Sequence, residues 1–336
     1  MGDMNTTIPD AYPPTGRGRR QPPVPDPPLP PRSAQRRPRR HGRVSCLGCL
    51  FRVALAGGLF VVAFTTLLIV LYRVAPPPRT NILILGLDSR PGEGTVTRSD
   101  TIILVTVNPA DLYVGMLSIP RDLYVEVPGY GLQRINAAHV LAESVSPGSG
   151  PLLVAQTIEY NFGVPVHRTM RLDFQAFVAI VDAAGGVTIN VERPIIDYEY
   201  PTADYGTTVV EFQPGVQHMD GERALQYARI RHGSSDFERA RRQQQVMVAL
   251  IRQLLMPENW RRWPDVYRAF VQHVETDLTL LDVAAIAPTV LWVGPEGIDR
   301  RVIDREMAIG VTTASGASVL EPQWERINPL LDEMFH

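Results

Sequence analysis

Two aspartates of this sequence lie where they could bind a metal ion. Asp88 ends one apolar run and Asp100 begins the next. If both runs are strands of one sheet, the two carboxylates lie at neighbouring strand ends. Oxygen ligands of this kind hold Mg²⁺ together with phosphate groups. The other role open to both aspartates is to cap the loop between the strands, and their spacing alone favours this second role.

A cluster of arginines lies further along the chain. Six of them fall within 20 residues of an otherwise acidic region, namely Arg223, Arg229, Arg231, Arg239, Arg241 and Arg242. Arg239, Arg242 and Gln243 have the spacing of one helix face. A guanidinium group binds two phosphate oxygens at once. No acid follows from Arg239 through Pro257, as it would on an ordinary solvated helix face, so we expect an anionic ligand.

The aspartates and arginines together suit a diphosphate, with a metal ion on one side and guanidinium groups on the other. Arg121 follows Pro120, which ends a third apolar run because proline cannot donate to a strand ladder. The position of Arg121 alone favours a solvated surface arginine over a ligand. The sequence has no G-x-S-x-G motif, which favours direct displacement over a covalent enzyme intermediate.

The residue types of the 336-residue chain exclude several kinds of chemistry. All 33 basic residues are arginines, which excludes Schiff-base catalysis, a lysine base and a P-loop lysine. Cys46 and Cys49 precede a long apolar run, so the rest of the chain has no thiol nucleophile, disulfide or cysteine-bound zinc site. Residues 53–336 carry 23 arginines and 32 acids, and this balance argues against nucleic-acid binding.

The 20 uncharged residues Val53–Tyr72 form a run long enough to cross a membrane. At about 1.5 Å per residue, such a helix covers roughly 30 Å, the thickness of the hydrocarbon core. Ten arginines precede the run and two follow closely, which predicts a cytoplasmic N-terminus, one pass through the cell membrane and an extracytoplasmic remainder. A cleaved signal peptide is the alternative, but its apolar core is shorter. We expect a disordered Pro/Arg-rich cytoplasmic tail (1–52), a transmembrane signal anchor (53–72) and a linker (73–80).

Strands and helices that alternate along the chain must position these residues. Apolar, β-branched runs predict strands at Asn81–Leu87, Thr101–Asn108, Tyr113–Ile119, Val166–Leu172 and Val187–Val191. Helical spacing predicts helices at Arg134–Ser144, Pro151–Phe162, Asp173–Ala184, Gly221–Tyr227, Phe237–Leu255, Trp260–Val274 and Thr279–Ala287, with Pro288 ending the last. The residues between Val191 and Gly221 are expected to be irregular. The alternation predicts an α/β fold of three layers, α-β-α, with a central mixed sheet flanked by helices. Its main domain is 81–256, extended by helices and strands at 257–336.

Six segments of the sequence resemble the LytR-CpsA-Psr family, in the family's order: NILILGLDSR, TRSDTIILVTVNP, MLSIPRDLYVEVPGYGLQRINAA, DAAGGVTINV, HMDGERALQYARIR and DFERARRQQQVM. They run from Asn81 to Met247, and the N-terminal anchor belongs to the resemblance. The resemblance implies a membrane-anchored extracytoplasmic phosphotransferase whose catalytic domain is 81–256. Its members move a glycopolymer from a polyprenyl-(pyro)phosphate carrier to cell-wall peptidoglycan.

The resemblance also implies roles for single residues. Asp88 and Asp100 would hold Mg²⁺ as the cofactor. The pyrophosphate would be bound by Arg98, Arg121, Arg229, Arg231, Arg239 and Gln243. Of these site residues, the catalytic ones would be Arg98, Arg121 and Asp100. Phe174–Val181 and Val246–Leu255 would line an apolar tunnel for the polyprenyl tail, although ordinary core packing leaves the same pattern.

Three positions depart from the family pattern, and none of them removes a predicted ligand. Glu238 stands where a glycine usually precedes the arginine, and Arg134 replaces a common lysine. Ala142 and Glu143 replace a frequent Gly-Gly pair.

Two other functions stay open. One is a pyrophosphatase that acts on the polyprenyl pyrophosphate carrier with water as the acceptor. The other is a non-catalytic regulator related to the cell envelope. The regulator is disfavoured because the predicted cytoplasmic tail has no DNA-binding motif, and because a binding protein would not need both Asp88 and Asp100.

Overall fold

The computed structural model describes residues 46–88, 95–202, 206–230 and 236–336. The chain divides into two compact units, Met1–Val62 and Ala63–His336. Helix α1 (Cys46–Val74) begins in the first unit. Its segment Leu50–Val74 has a mean hydropathy of 2.5 over its most apolar part, so the helix is long and apolar enough to cross a membrane.

The other elements all belong to the second unit. Its strands are β1 (Thr80–Leu87), β2 (Ser99–Asn108), β3 (Tyr113–Ser118), β4 (Tyr124–Val127), β5 (Gly131–Arg134), β6 (Arg168–Leu172), β7 (Val187–Val191), β8 (Ile195–Pro201), β9 (Thr207–Phe212), β10 (Gly215–Met219), β11 (Glu275–Thr276), β12 (Asp299–Val302), β13 (Ala308–Thr312) and β14 (Ser318–Pro322). Its helices are α2 (Ala137–Val145), α3 (Gly150–Phe162), α4 (Phe174–Ala183), α5 (Gly221–Arg229), α6 (Asp236–Leu255), α7 (Trp263–His273), α8 (Leu280–Val293) and α9 (Trp324–Phe335).

The central sheet is mixed, as the sequence predicts. Its strand order is β11-β6-β1-β2-β3-β12. β1, β2 and β3 are antiparallel neighbours, whereas β6 and β12 join the sheet as parallel strands. Because β1 and β2 are antiparallel neighbours, the end of β1 and the start of β2 lie side by side at the same end of the sheet.

Helices cover both faces of the sheet because side chains alternate along each strand. Leu83 and Leu104 are fully buried against α2, α3 and α9. Their chain neighbours Ile82 and Ile103 pack on the other face against α6 and α8. The expected three-layer α-β-α fold is therefore confirmed.

The expectation of an irregular stretch between β7 and α5 is wrong. The chain forms three further strands there, β8, β9 and β10, and β10 pairs with β7. The alternation of apolar and polar residues is broken in β8 because Asp197 is buried and a register shift follows it. Because of this break, β8 lacks the period-two pattern that predicts a strand.

Two predicted helix boundaries also need correction. Arg134 does not begin a helix but ends β5, where it pairs with Tyr124, and α2 starts at Ala137. Pro288 does not end the helix that begins after Thr279, because α8 continues to Val293. Proline removes one helical hydrogen bond and its ring crowds the carbonyl four residues earlier, but Ile286 and Thr289 on either side of Pro288 stay buried, so tertiary packing keeps the helix continuous.

Candidate functional site

The two predicted metal ligands lie at one edge of the central sheet. Asp88 directly follows β1, and Asp100 is the second residue of β2. The register pairs Leu87 with Ser99 and shifts there, so Asp100 has no partner residue in β1. Such a bulge redirects a side chain at a strand end. The structure thus brings both carboxylates to the same edge, and their role as metal ligands stays a prediction.

Each of these two carboxylates is paired with an arginine. Arg121 Nη1 donates to Asp100 Oδ1 at 2.9 Å, and Arg229 Nη2 donates to Asp88 Oδ1 at 3.4 Å. Burial alone would lower the pKa of Arg121, but the Asp100 carboxylate, assisted by Asp122, outweighs burial and raises that pKa. The predicted metal ligands and the predicted phosphate ligands therefore neutralise one another in the structure.

Arg229 is held by two aromatic side chains. Its guanidinium lies 3.9 Å from the centre of the Phe174 ring, and its Nη1 donates to Tyr200 Oη at 3.3 Å. Burial raises the pKa of Tyr200 against the opposing charge of Arg229, so the hydroxyl stays protonated. Stacking and hydrogen bonding together fix the orientation of this guanidinium.

The contacts at the start of α5 determine the position of Arg229, the last residue of this helix. Asp220 caps α5 with its carboxylate, and Asp182 Oδ1 accepts a hydrogen bond from the Gly221 backbone at 2.7 Å. A Cβ atom on Gly221 would come within 2.5 Å of the Val178 carbonyl oxygen. Only glycine lets α5 approach α4 this closely, and the approach sets the position of Arg229 at the far end of α5.

Four predicted residues line one narrow cavity between β2, the end of β3 and α6. They are Asp100, Arg121, Arg239 and Gln243, and the cavity measures about 20 Å³. Arg239 and Gln243 lie one turn apart on α6, so both reach the same space. Asp236, one turn before Arg239, places Oδ1 2.7 Å from Arg239 Nη1. The cavity is thus bordered by two guanidinium groups, an amide and two carboxylates.

Of the predicted site residues that the structure describes, Asp88, Arg98 and Arg229 do not line this cavity. Arg98 is exposed, lies one residue before β2 and is not among the lining residues. Arg231 lies outside the described residues. Pyrophosphate binding by Arg98 and Arg231, and catalysis by Arg98, stay predictions.

The predicted common face of Arg239, Arg242 and Gln243 is wrong for Arg242. Arg242 is buried, and it donates from Nε to the Tyr227 carbonyl at 3.0 Å and from Nη2 to the Ile230 carbonyl at 2.5 Å. Burial lowers the pKa of Arg242. On a helix, Gln243 lies about 40° from Arg239 and Arg242 about 60° to the other side, which turns Arg242 away from the cavity. Arg242 instead secures the end of α5 that carries Arg229.

Sequence reasoning missed the role of Gln244. Its amide donates to Ser118 Oγ at 2.9 Å and to the Arg301 carbonyl at 2.8 Å, so it fastens α6 to the ends of β3 and β12. The only signal for it was the run of three glutamines after Arg242.

Glu238, the acidic departure from the family pattern, pairs with Arg193, and this ion pair offsets the charge of Glu238 next to Arg239.

A buried ionic network fixes the segment that leads into Arg98. His139 donates from Nδ1 to the Thr97 carbonyl at 2.8 Å, and Glu143 Oε2 accepts from Thr95 Oγ1 at 3.3 Å. Arg171 of β6 pairs with Glu143 and also contacts His139 Nε2. Glu143 occupies one of the two positions where the family frequently has Gly-Gly. The departure thus provides a buried anchor for the described segment 95–98, just before Asp100.

The charge states within this network follow from its contacts. Burial would raise the pKa of Glu143, but the backbone N–H groups of Gly148 and Gly150 and the Arg171 guanidinium lower it below its usual range. Burial lowers the pKa of His139, and the charge of Arg171 lowers it further. Glu143 is therefore ionised and His139 neutral, which leaves His139 Nε2 free to accept from Arg171.

A larger cavity adjoins Arg229. It measures about 730 Å³, and among its lining residues are Phe174, Val178, Tyr200, Leu225 and Arg229. The first segment expected to line a polyprenyl tunnel, Phe174–Val181, therefore contributes to a cavity. The second, Val246–Leu255, does not line this cavity, and its buried residues pack in the core beside α5 and the sheet.

The donor set of the site fits a metal ion that binds together with a phosphate. Asp88 and Asp100 offer two carboxylates, the ligand type that Mg²⁺ prefers. Within 46–88, 95–202, 206–230 and 236–336, no group of three or more His, Cys, Asp or Glu side chains could hold a metal ion. A Mg²⁺ ion held by Asp88 and Asp100 would take its remaining ligands from phosphate oxygens and water.

Comparison with known proteins gives consistent matches. The sequence profile of the LytR_cpsA_psr family matches residues 75–335. The polyisoprenyl-teichoic acid–peptidoglycan teichoic acid transferase TagU of Oceanobacillus iheyensis is 35% identical over 202 residues, which are 60% of this chain and 59% of that protein. The regulatory protein MsrR of Staphylococcus aureus (strain Mu50) is 32% identical over 203 residues, 60% of this chain and 57% of that protein.

Solved structures give the same result. TagT bound to LIIa-WTA superposes with a TM-score of 0.60 at 25% identity, over 76% of this chain and 89% of that one. The sequence match spans about six tenths of the length of TagU and MsrR. The family profile covers most of this chain, from the end of α1 through α9. The chain belongs to the LytR-CpsA-Psr family.

Proposed function

We propose that this chain is a membrane-anchored extracytoplasmic phosphotransferase that moves a glycopolymer from a polyprenyl-(pyro)phosphate carrier to peptidoglycan. The observation that carries the proposal is the convergence of Asp100, Arg121, Arg239 and Gln243 on one cavity, at the sheet edge where Asp88 also lies. The similarity to TagU and to TagT bound to LIIa-WTA supports a substrate of this class.

The arginines bind the donor. Arg121 and Arg239 border the cavity with planar guanidinium groups, which suit the paired oxygens of a diphosphate. Arg229 presents a guanidinium whose orientation is already fixed by Phe174 and Tyr200, so little conformational entropy is lost when it engages a phosphate. Arg98 and Arg231 complete the proposed set of phosphate ligands.

The transfer step is a direct displacement. The oxygen of the acceptor hydroxyl forms a bond to the sugar-proximal phosphorus, while the bond from that phosphorus to the bridging oxygen breaks. Polyprenyl phosphate leaves with the bridging oxygen, and the hydroxyl proton passes to a carboxylate or to the leaving phosphate. Arg121 and Arg239 stabilise the negative charge that develops on the transferred group. Mg²⁺ held by Asp88 and Asp100 would neutralise further charge on the diphosphate.

Helix α1 is the proposed membrane anchor. Its segment Leu50–Val74 has 25 residues, more than the about 20 needed to cross a bilayer. The ten arginines before Val53 favour a cytoplasmic N-terminus. The catalytic domain would then lie on the extracytoplasmic side, where peptidoglycan is its acceptor.

The test is a transfer assay on the full chain in lipid vesicles. It contains a short lipid-pyrophosphate-linked glycan, uncrosslinked peptidoglycan and Mg²⁺, and mass spectrometry follows the products. A glycan joined to peptidoglycan through a phosphodiester is the expected product. Glycan phosphate released at the same rate with and without peptidoglycan would establish a pyrophosphatase instead. Binding of the lipid donor without any product would point to a regulator or carrier protein.

A matched pair of variants tests the site itself. Arg239→Ala should lower the transfer rate by about 10²- to 10³-fold, as for loss of one oriented donor. Arg241→Ala is the control, because Arg241 is an exposed arginine on the same helix that does not line the cavity. Equal rates for the two variants would contradict the assignment of the cavity.

A further inference from the structure

Helix α8 exposes an apolar face. Leu281 is 82% exposed, Leu280 72%, Trp292 67% and Leu291 58%. With Ala284 and Pro288, which are also exposed, these residues fall within about 120° of the helix circumference. We name these six residues the α8 face. Outside this arc, Ile286 is buried and packs on the central sheet, and Thr289 is buried beside the end of α1.

The α8 face carries no charge. The single charged residue of α8 is Asp282, which lies outside this arc. Its carboxylate is bound by Arg168, from Nε at 2.8 Å and from Nη2 at 2.9 Å, and it also closes a capping box with Thr279. A face made of several adjacent, exposed apolar side chains without a charge is typical of an interaction surface.

Hydrogen bonds place α8 next to the end of α1. Tyr72 donates from Oη to the Ala285 carbonyl at 2.8 Å, and the same Oη lies 2.6 Å from Thr289 Oγ1. Tyr72 is the last residue of the uncharged run, and Arg73 follows it. Tyrosine and arginine at the end of an apolar helix are typical of the membrane–water boundary. The middle of α8 is therefore in direct contact with Tyr72, the residue at which α1 would leave the bilayer.

We propose that the α8 face inserts into the outer leaflet of the membrane as a second, peripheral contact. The inference rests on the proposed anchoring of the chain by α1. A lipid surface is the occupant that fits, because α1 holds the middle of α8 at the bilayer boundary and the face presents only apolar side chains to it. The insertion would fix the orientation of the domain above the membrane that carries a lipid-linked donor.

The test measures tryptophan fluorescence of the full chain in vesicles of phosphatidylethanolamine and phosphatidylglycerol, with and without brominated acyl chains. Trp292 is one of four tryptophans in the chain, so its signal is the difference between the wild type and Trp292→Phe. We expect bromine to quench this difference signal strongly. Leu281→Glu should remove most of that quenching. Leu152→Glu should leave it unchanged, because Leu152 is 59% exposed on α3 at the other face of the sheet.

Each other outcome overturns the inference in a distinct way. Vesicle flotation without bromine quenching of Trp292 would show an anchored chain whose α8 face stays in water. Protection of Trp292 from aqueous iodide without bromine quenching would show that a protein surface covers the face. If the chain does not float with the vesicles at all, both the insertion of the α8 face and the proposed membrane anchor are overturned. The side chains replaced in all three variants are exposed, so we expect each variant to fold like the wild type.

Discussion

Replacing Glu143 should destabilise the domain much more than replacing the other carboxylate bound to the same arginine. The Glu143 side chain is fully buried, and its partner Arg171 is 5% exposed. Glu143 also accepts hydrogen bonds from the backbone N–H groups of Gly148, at 2.9 Å, and Gly150, at 3.0 Å. Glu275, the second carboxylate on Arg171, is 63% exposed. The two acids therefore differ in burial while sharing one cation.

The expected sizes follow from that difference in burial. Removing one partner of a buried ion pair costs about 3–5 kcal/mol because the other charge is left uncompensated. Glu143→Gln keeps the shape and one acceptor oxygen, so its cost should lie near the lower end of that range. Glu275→Gln removes a solvent-screened partner and should cost no more than about 1 kcal/mol. The network also holds Thr95 and Thr97, so the Glu143 variant should lower transfer activity as well.

Urea unfolding of the full chain in mild detergent, followed by circular dichroism, measures both free energies of unfolding. Thermal unfolding gives an independent value, because about 2–4 °C of melting temperature corresponds to 1 kcal/mol in a domain of this size. Equal destabilisation by Glu275→Gln and Glu143→Gln would refute the argument from burial. So would a cost below about 1 kcal/mol for Glu143→Gln.

Three further predictions concern the site and its surroundings. Arg229→Lys should lower the rate of glycan transfer by about tenfold to a hundredfold, because an ammonium cannot make the paired hydrogen bonds of a guanidinium; an unchanged rate would contradict phosphate binding by Arg229. EDTA should abolish transfer and added Mg²⁺ should restore it, whereas a rate insensitive to chelation would remove the metal from the proposal. Domain stability should fall as the pH drops below about 6.5, because burial lowers the pKa of His139 and the folded state takes up a proton less readily than the unfolded chain. Thermal unfolding across this range, with His139→Phe as the comparison, measures the effect, and identical pH profiles for the two proteins would contradict it.

The strands of the central sheet were predictable because their signals are local. β1 and β3 match the predicted Asn81–Leu87 and Tyr113–Ile119 within one residue at each end. The helix predicted from Asp173 is also present as α4, and Asp173 caps it by accepting from the Ala176 backbone N–H at 2.8 Å. By contrast, α8 passes through Pro288 because packing against the sheet overrides a local signal to stop. Local patterns therefore failed where tertiary contacts decide the conformation.

The contacts of the site could be predicted only in part. The spacing of Arg239 and Gln243 fixes their common direction on α6, since both belong to one helix. The pairing of Arg229 with Asp88 joins residues 141 positions apart, and no spacing rule reaches across that distance. The fold also turns Arg242 toward carbonyl oxygens that become available only where α5 ends. Which arginines meet the cavity is thus a property of the tertiary structure.

The pairing of each carboxylate with an arginine makes the two kinds of ligand interdependent. In the proposed complex, a diphosphate that engages Arg121 and Arg229 would compete with Asp100 and Asp88 for these guanidinium groups, which would favour a divalent cation at the carboxylates. A cation that engages the aspartates releases the same guanidinium groups for the phosphates. By thermodynamic reciprocity, each ligand lowers the dissociation constant of the other by one common factor. If Asp88 and Asp100 hold the cation as proposed, either ligand alone would separate these ion pairs and compensate only one partner of each, so the site would favour binding of the two together.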